Sequence, residues 1–375
     1  MYITSLKING FKNLENIVIK PDRHTNILYG KNAQGKTNLI EAVWLCTGAR
    51  SFRNTRDRDL IGFDKENFSI ELEMDDGSRI QKISAAAAKV NPKEKRVSLN
   101  GVKLKNMSQL FGKLKCVIFT PEDLELSKGS PDNRRNFLDL SVSQIKLSYP
   151  AVTAKYDNIL QQRNALLKNI SFGNAAADML DIFDRQLSEI GAYISMLRYN
   201  YVKKLSAYAS ALYSEISKNS EKLELSYQSS VFSRLEGRTD YMESMADEYY
   251  EAVRKNIDGD IKCGFTQAGV HRDDLIAKIN GLYVRDYASQ GQHRSVALIL
   301  KLAQGYILRQ ETDDPPVILL DDILSELDRN RQDYVISKIK DMQIFITCCE
   351  KSPDFAKGRV YHIEKGRVEN VSSHR

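Results

Sequence analysis

Gly30-Lys31-Asn32-Ala33-Gln34-Gly35-Lys36-Thr37 lies between an apolar run, Ile27-Leu28-Tyr29, and the amphipathic segment Asn38-Leu39-Ile40-Glu41-Ala42-Val43-Trp44-Leu45. The spacing is G-x-x-x-x-G-K-[ST], and its flanks read as strand, tight turn and helix, the context a P-loop requires. Glycines let such a loop curl until backbone N–H groups point inward at the α- and β-phosphates of a nucleotide. Lys36 then reaches the β- and γ-phosphates, Thr37 offers a hydroxyl to Mg²⁺, and the helix N-terminus adds favourable partial charge. The eight residues 30–37 are therefore the expected ATP contacts.

Downstream, Val317-Ile318-Leu319-Leu320-Asp321-Asp322 is a continuous apolar strand of the buried parallel type that ends in two carboxylates. Asp321 suits a Walker-B role, holding Mg²⁺ together with Thr37. Asp322 suits orienting or deprotonating a water, which makes it, with Lys36, the expected catalytic pair. Many buried strands also end in an Asp that only caps the next turn.

Ser289-Gln290-Gly291-Gln292, just ahead of a helical run, resembles the signature of ABC-type ATPases, with Gln290 replacing a Gly. The plainer reading of the same residues is a helix N-cap. Ser325-Glu326-Leu327-Asp328 similarly resembles the D-loop, with Ser325 and Asp328 as its candidate site residues. In ABC-type ATPases the signature of one protomer covers the γ-phosphate held by the other. The resemblance thus implies that Ser289, Gly291 and Gln292 contact ATP in trans, in an ATP-dependent homodimer.

Composition limits the alternatives. The chain has 375 residues, 42% of them apolar, enough for two or three domains with cores of their own. Its 28% charged residues are spread along the sequence, which excludes wholesale disorder. Five cysteines without a CxxC give no disulfide framework and no zinc site. No apolar run reaches the roughly 18–20 residues that span a bilayer, so no membrane partner is expected. Met1-Tyr2-Ile3-Thr4-Ser5-Leu6-Lys7 lacks a secretory h-region, and a cytoplasmic location is expected. A net charge of +6 permits a nucleic-acid partner without demanding one.

Three segments follow from patterning. Residues 1–124 read as the strand-rich half of an α/β nucleotide-binding head, with turn signals at Asp76-Gly77 and Asn100-Gly101. Residues 125–255 read as a helical insertion. A helix over 175–218 would be about 65 Å long at 1.5 Å per residue, so it should project as an arm or pack as a hairpin; the plainer reading of these helices is a helical subdomain that covers the core. Residues 256–375 return to α/β and close the head with the signature, Walker B and D-loop.

The P-loop helix, Ala49-Arg50-Ser51-Phe52-Arg53, Val117-Ile118-Phe119-Thr120-Pro121-Glu122-Asp123-Leu124, the helix over 156–168, Gly269-Val270-His271-Arg272-Asp273-Asp274-Leu275, Ser289-Gln290-Gly291-Gln292 and Leu319-Leu320-Asp321-Asp322 occur in an order that, taken together, resembles the bacterial RecF family. The resemblance runs from about residue 3 to 365. It implies an ABC-type, SMC-related head with a helical second domain and no long coiled coil. It also implies ATP-dependent DNA binding, weak ATP hydrolysis, and work with RecR and RecO in loading RecA at single-strand gaps and in SOS induction. One departure is Val270, where the family usually has Pro. A second is the expected Q-loop position, 120–123, which has no Gln.

For DNA, double-stranded or gapped, the candidates are Arg53 and Arg56 after the P-loop helix, and Lys93, Lys95 and Arg96. The latter three lie in a run from Arg79 to Lys105 with only Glu94 as acidic company. Such a run is as readily a solvated face. Two other functions compete with a repair ATPase. A transporter ATPase would need a membrane-domain partner, for which 125–255 gives no sign. A nuclease with a similar head would need a metal-dependent domain, for which about fifty residues after the Walker B leave no room.

Overall fold

The N-terminal segment folds as β1 (Tyr2–Asn9), β2 (Ile17–Ile19), β3 (Thr25–Tyr29), α1 (Lys36–Leu45), β4 (Asn67–Asp75), β5 (Ile80–Ala88), β6 (Asn91–Leu99), β7 (Val102–Leu104) and β8 (Cys116–Phe119). In β1, Ile3, Leu6 and Ile8 are all buried, although a spacing of three and then two breaks strict alternation. A register shift between Ile3 and Ser5 in the pairing with β4 absorbs the extra residue. Asn100 and Gly101 both take positive φ (52° and 81°) and join β6 to β7, as a two-residue type I′ hairpin demands. The resulting antiparallel sheet has the order β2-β1-β4-β5-β6-β7.

The insertion continues with α2 (Glu125–Lys128), α3 (Pro131–Ile145), α4 (Tyr149–Ser171), α5 (Leu180–Ile216), β9 (Leu223–Gln228), α6 (Met242–Lys255), α7 (Ile257–Cys263), β10 (Asp274–Ile279), β11 (Leu282–Tyr283), α8 (Val284–Tyr287) and α9 (Gln290–Thr312). The last segment holds β12 (Val317–Leu320), α10 (Arg329–Ile339), β13 (Ile344–Cys348), β14 (Gly358–Glu364) and β15 (Arg367–His374). This computed structural model describes residues 1–237, 242–349 and 358–374. The chain divides into two units, Met1–Asp123 with Ala297–Arg375, and Leu124–Val296.

Two expectations about the insertion are corrected. The long helix is neither a projecting arm nor a hairpin. α5 is a single helix of 37 residues, about 55 Å at 1.5 Å per residue, with buried positions from Leu180 to Tyr213. Gly191 sits mid-helix because Tyr249 of α6 fills the space, where a Cβ would come within 2.3 Å of the phenol ring. The insertion also does not end at 255. β10 pairs antiparallel with β9 along its whole length, from Asp274↔Gln228 to Ile279↔Leu223, and β11 extends that sheet. This cross-linking draws 256–296 into the second unit, so the signature residues belong there, and the closing half of the head begins at Ala297. Strand pairing over 46 or more residues of separation leaves no local trace in hydrophobic periodicity.

The second sheet of the first unit has the order β15-β14-β3-β13-β12-β8. β14, β3, β13, β12 and β8 run parallel, and β15 closes the edge antiparallel. All four residues of β12 and of β8 are buried, as a sheet covered on both faces requires. α1 is buried nearly all round through Leu39, Ile40, Ala42, Val43, Trp44 and Leu45, each contributing roughly 1.5–3 kcal/mol if fully buried and larger than Ala. Among the described residues no helix is long and apolar enough to cross a membrane.

Candidate functional site

Strand register assembles the site. β3 leads into the P-loop and β12 into the two carboxylates, and β13 lies between them. The β12–β13 register pairs Leu320 with Ile346, which sets Asp321 level with Thr347. The β13–β3 register pairs Cys348 with Tyr29, which sets the next residues beside Gly30. The carboxyl ends of three parallel strands thus converge, where open α/β sheets place their ligands.

The loop 30–37 is shaped by backbone conformations with positive φ: Gly30 at 154°, Ala33 at 63° and Gly35 at 114°. A Cβ on Gly30 would lie 2.3 Å from the Ile363 carbonyl oxygen, so only glycine fits. The first turn of α1 has no side-chain cap and no acidic residue, which leaves its N–H groups to an anion. Lys36 is buried, and its ammonium donates to the carbonyls of Gly30 (2.7 Å) and Lys31 (3.0 Å). From outside, the β14–β15 turn clasps the loop: the Lys365 N–H donates to Gln34 Oε1 (2.7 Å) and the Gly366 N–H to the Gln34 carbonyl (3.0 Å).

The Thr37 hydroxyl donates to Asp321 Oδ1 at 2.9 Å, so the P-loop and the β12 carboxylate meet directly. A hydroxyl and a carboxylate are hard oxygen donors of the kind Mg²⁺ takes. Two protein oxygens suit an ion whose remaining positions are filled by phosphate and water. Burial raises the Asp321 carboxyl above its usual range; the Thr347 and Thr37 hydroxyls oppose that, the Asp322 charge adds to it, and Arg53 opposes it. Asp322 is half-buried at φ 55°, a left-handed conformation uncommon for a residue with a side chain. Two residues that sequence reading missed complete the group. Thr347 donates to Asp321 Oδ1 (2.9 Å), and Cys349 Sγ lies 3.1 Å from Asn32 Oδ1 of the loop.

In the second unit, Ser289 and Gln292 form a reciprocal capping box at the start of α9. The Gln292 N–H donates to Ser289 Oγ (3.3 Å), and Gln292 Oε1 accepts from the Ser289 N–H (2.8 Å). Ser289 is exposed, and Gly291 is half-buried. The Gln292 amide also donates to Glu221 (2.8 Å), which accepts in turn from the Tyr213 hydroxyl of α5 (2.6 Å). In the first unit, the Ser325 hydroxyl donates to the Asp322 carbonyl (2.6 Å), and Asp328 caps α10 by accepting from the Arg331 N–H (3.1 Å).

The RecF/RecN/SMC N terminal domain family matches residues 2–365. A curated relative from Clostridium acetobutylicum, the DNA replication and repair protein RecF, is 37% identical over 98% of this chain and 99% of its own length. The chain belongs to the RecF family. Two solved structures agree. A recombination mediator protein RecF-ATPrS in the RecFOR pathway superposes with a TM-score of 0.91 at 37% identity, over 98% of this chain and 97% of that one. A RecF-ATP structure of the same pathway gives 0.89 at 38%, over 98% of each chain. Membership places the chain among DNA replication and repair proteins, with the ABC-type, SMC-related head fold.

The RecF-family segment 269–275 serves the interior of the second unit. His271 Nε2 faces the Thr266 carbonyl (3.0 Å), which can only accept, so Nε2 carries the proton and Nδ1 accepts from Tyr156 (3.0 Å). Tyr156 in turn meets Tyr249 (2.9 Å), and Tyr249 accepts from the Val270 N–H (3.0 Å). Burial lowers the His271 pKa to about 4, so the ring is neutral at neutral pH. Val270 thus supplies a donor that a proline at this position could not. Asp273 accepts from the Ser230 N–H and hydroxyl (2.7 and 3.0 Å) and from the Tyr227 hydroxyl. Asp274 takes a bidentate pair from Arg134 (2.7 and 2.8 Å).

The basic candidates separate. Arg53 donates to Asn38 of α1 (3.2 Å) and acts electrostatically on Asp321, so it lies on the P-loop side. Arg56, Lys93 and Arg96 are exposed. Lys95 is held by Asp57 at 2.5 Å with its side chain only 14% exposed, and presents less charge to a ligand. The run 79–105 is less basic in space than in sequence, because β4 lays Glu71 and Glu73 beside β5, and Lys82 pairs with Glu71 at 2.8 Å.

Proposed function

We propose that this chain is an ATP- and DNA-binding repair ATPase whose nucleotide state controls dimerisation. The observation that carries this reading is the contact of Thr37 with Asp321 below an uncapped helix N-terminus. Residues 30–37 bind the phosphates, and the Lys36 ammonium exchanges its two loop carbonyls for phosphate oxygens. Thr37 and Asp321 would hold Mg²⁺, which would supply neutralisation of phosphate charge. Asp322, at the mouth of the sheet, orients the attacking water and takes its proton. ATP complexes of RecF relatives support the nucleotide assignment.

Ser289, Gly291 and Gln292 cover the γ-phosphate of a second copy, with Ser325 and Asp328 at the same interface. The capping box supports this role by fixing Ser289 while leaving it exposed. Hydrolysis is weak and acts as a timer for release from double-stranded or gapped DNA, in the cytoplasm, with RecR and RecO as partners in RecA loading and SOS induction. Lys93, Arg96 and Arg56 are the phosphate contacts favoured by exposure, and Arg53 serves the nucleotide. Ser289→Arg should bind ATP as a monomer yet form no ATP-induced dimer in sedimentation.

The test is ATP turnover with and without duplex DNA at low and high salt. The reading expects stimulation by DNA that salt removes. Absence of turnover in every condition contradicts it, and metal-dependent cleavage of the DNA would indicate a nuclease.

A further inference from the structure

Thr347 lies on β13, between the P-loop strand and the Walker-B strand, and touches the chemistry of both. Its side chain is buried, and its hydroxyl makes two bonds of 2.9 Å: it donates to Asp321 Oδ1 and accepts the N–H of Asp322. The two bonds are compatible, because one hydroxyl has a single proton to give and lone pairs to accept with. Asp321 Oδ1 also accepts from Thr37, so that one oxygen is fixed from two sides. Asp322 is the residue held at φ 55°, and its backbone N–H is the group Thr347 anchors. The same strand end grips the P-loop, where the Cys348 carbonyl accepts from the Gly30 N–H at 3.3 Å. A β-branched side chain has a stiff χ1, so this hydroxyl is aimed before any ligand arrives.

We propose that Thr347 is a positioning residue for ATP hydrolysis, setting the direction of the Asp321 carboxylate and the turn that presents Asp322. This rests on the ATPase reading above. Thr347 touches no substrate; it acts through the two aspartates. A valine at this position has the same branching without the hydroxyl, and a serine keeps the hydroxyl without the methyl.

The experiment compares wild type, Thr347→Val and Thr347→Ser in steady-state ATP turnover, and follows amide exchange of a peptide covering Asp322 in the nucleotide-free proteins. Thr347→Val should lower kcat about 10–100-fold with KM changed by less than about threefold, and Thr347→Ser should recover most of the loss. The Asp322 amide should exchange faster in the valine variant only. Wild-type kcat and exchange in Thr347→Val overturn the proposal while the ATPase reading stands. So does a loss shared equally by valine and serine variants, which marks packing alone. A wild-type protein that turns over no ATP overturns the ATPase reading and this role together.

Discussion

The loop 30–37 and the segment 269–275 have similar composition, glycine beside polar and charged residues, and the fold uses them in opposite ways. In the first, Lys31, Asn32 and Ala33 are exposed, and the adjoining helix turn carries no side-chain cap. In the second, hydrogen bonds run without a break from the Val270 N–H through Tyr249, Tyr156 and His271 to the Thr266 carbonyl. Gly269 is squeezed until a Cβ would stand 2.5 Å from the Tyr156 hydroxyl. The uncapped backbone N–H groups at the start of α1 mark a place for an anion, even though Lys36 already donates to loop carbonyls and Thr37 to Asp321. In 269–275 the backbone and side-chain polar groups close on one another in the interior and serve as a frame.

If that contrast is right, substitutions in the frame move stability, and substitutions at the open site move turnover. The largest effect belongs to Arg163, fully buried between Asp184 (2.6 Å) and Asp260 (2.7 Å). Arg163→Leu leaves the Asp260 carboxylate buried without a cation and Asp184 with only Arg254 at 3.2 Å, and should cost about 4 kcal/mol in chemical denaturation. A fall in turnover per folded molecule larger than the stability loss would break the contrast. Next, Asp322→Asn should cut turnover about a hundredfold, near 3 kcal/mol on the barrier, with an unchanged melting temperature and a longer-lived dimer on DNA. Release from DNA as fast as wild type would contradict the timer.

Acidification gives a third, smaller effect. The folded His271 has a pKa of about 4 against an ordinary 6.5, because burial disfavours the imidazolium. The unfolded chain then binds the extra proton, so the stability this residue contributes is complete above pH 6.5 and is lost as pH falls toward 4. The loss should be on the order of 2 kcal/mol, discounted because the ring is not sealed from water. Melting curves between pH 7 and 4.5 measure it, and Asn in place of His271 should flatten the dependence. The smallest effect is Val270→Pro. It removes the N–H that Tyr249 accepts, about 1 kcal/mol, against an entropic gain of similar size, so the net shift should stay under about 1 kcal/mol.

Much of the site was legible because short-range chemistry sets it. G-x-x-x-x-G-K-T between strand and helix, and Val317-Ile318-Leu319-Leu320 before two aspartates, carry their meaning in adjacent residues. Thr347 was invisible for the opposite reason. In Ile344-Phe345-Ile346-Thr347 a threonine reads as one more β-former, and only strand order brings it to Asp321. At the signature the structure shows the plainer reading, a Ser289–Gln292 cap on α9, and the contact with a second copy's ATP stays a proposal. From Arg79 to Lys105 the linear sequence overstates the basic surface, because the sheet sets Glu71 and Glu73 of β4 beside β5.

Residues 30–37, together with Asp321, are the nucleotide site proposed for this RecF-family chain. Equilibrium titration of wild type and Lys36→Ala with a fluorescent ATP analogue and Mg²⁺ tests it most directly. Wild type should saturate at one nucleotide per chain, and Lys36→Ala should bind about a hundredfold more weakly with an unchanged melting temperature. Equal affinity in the two proteins would contradict it.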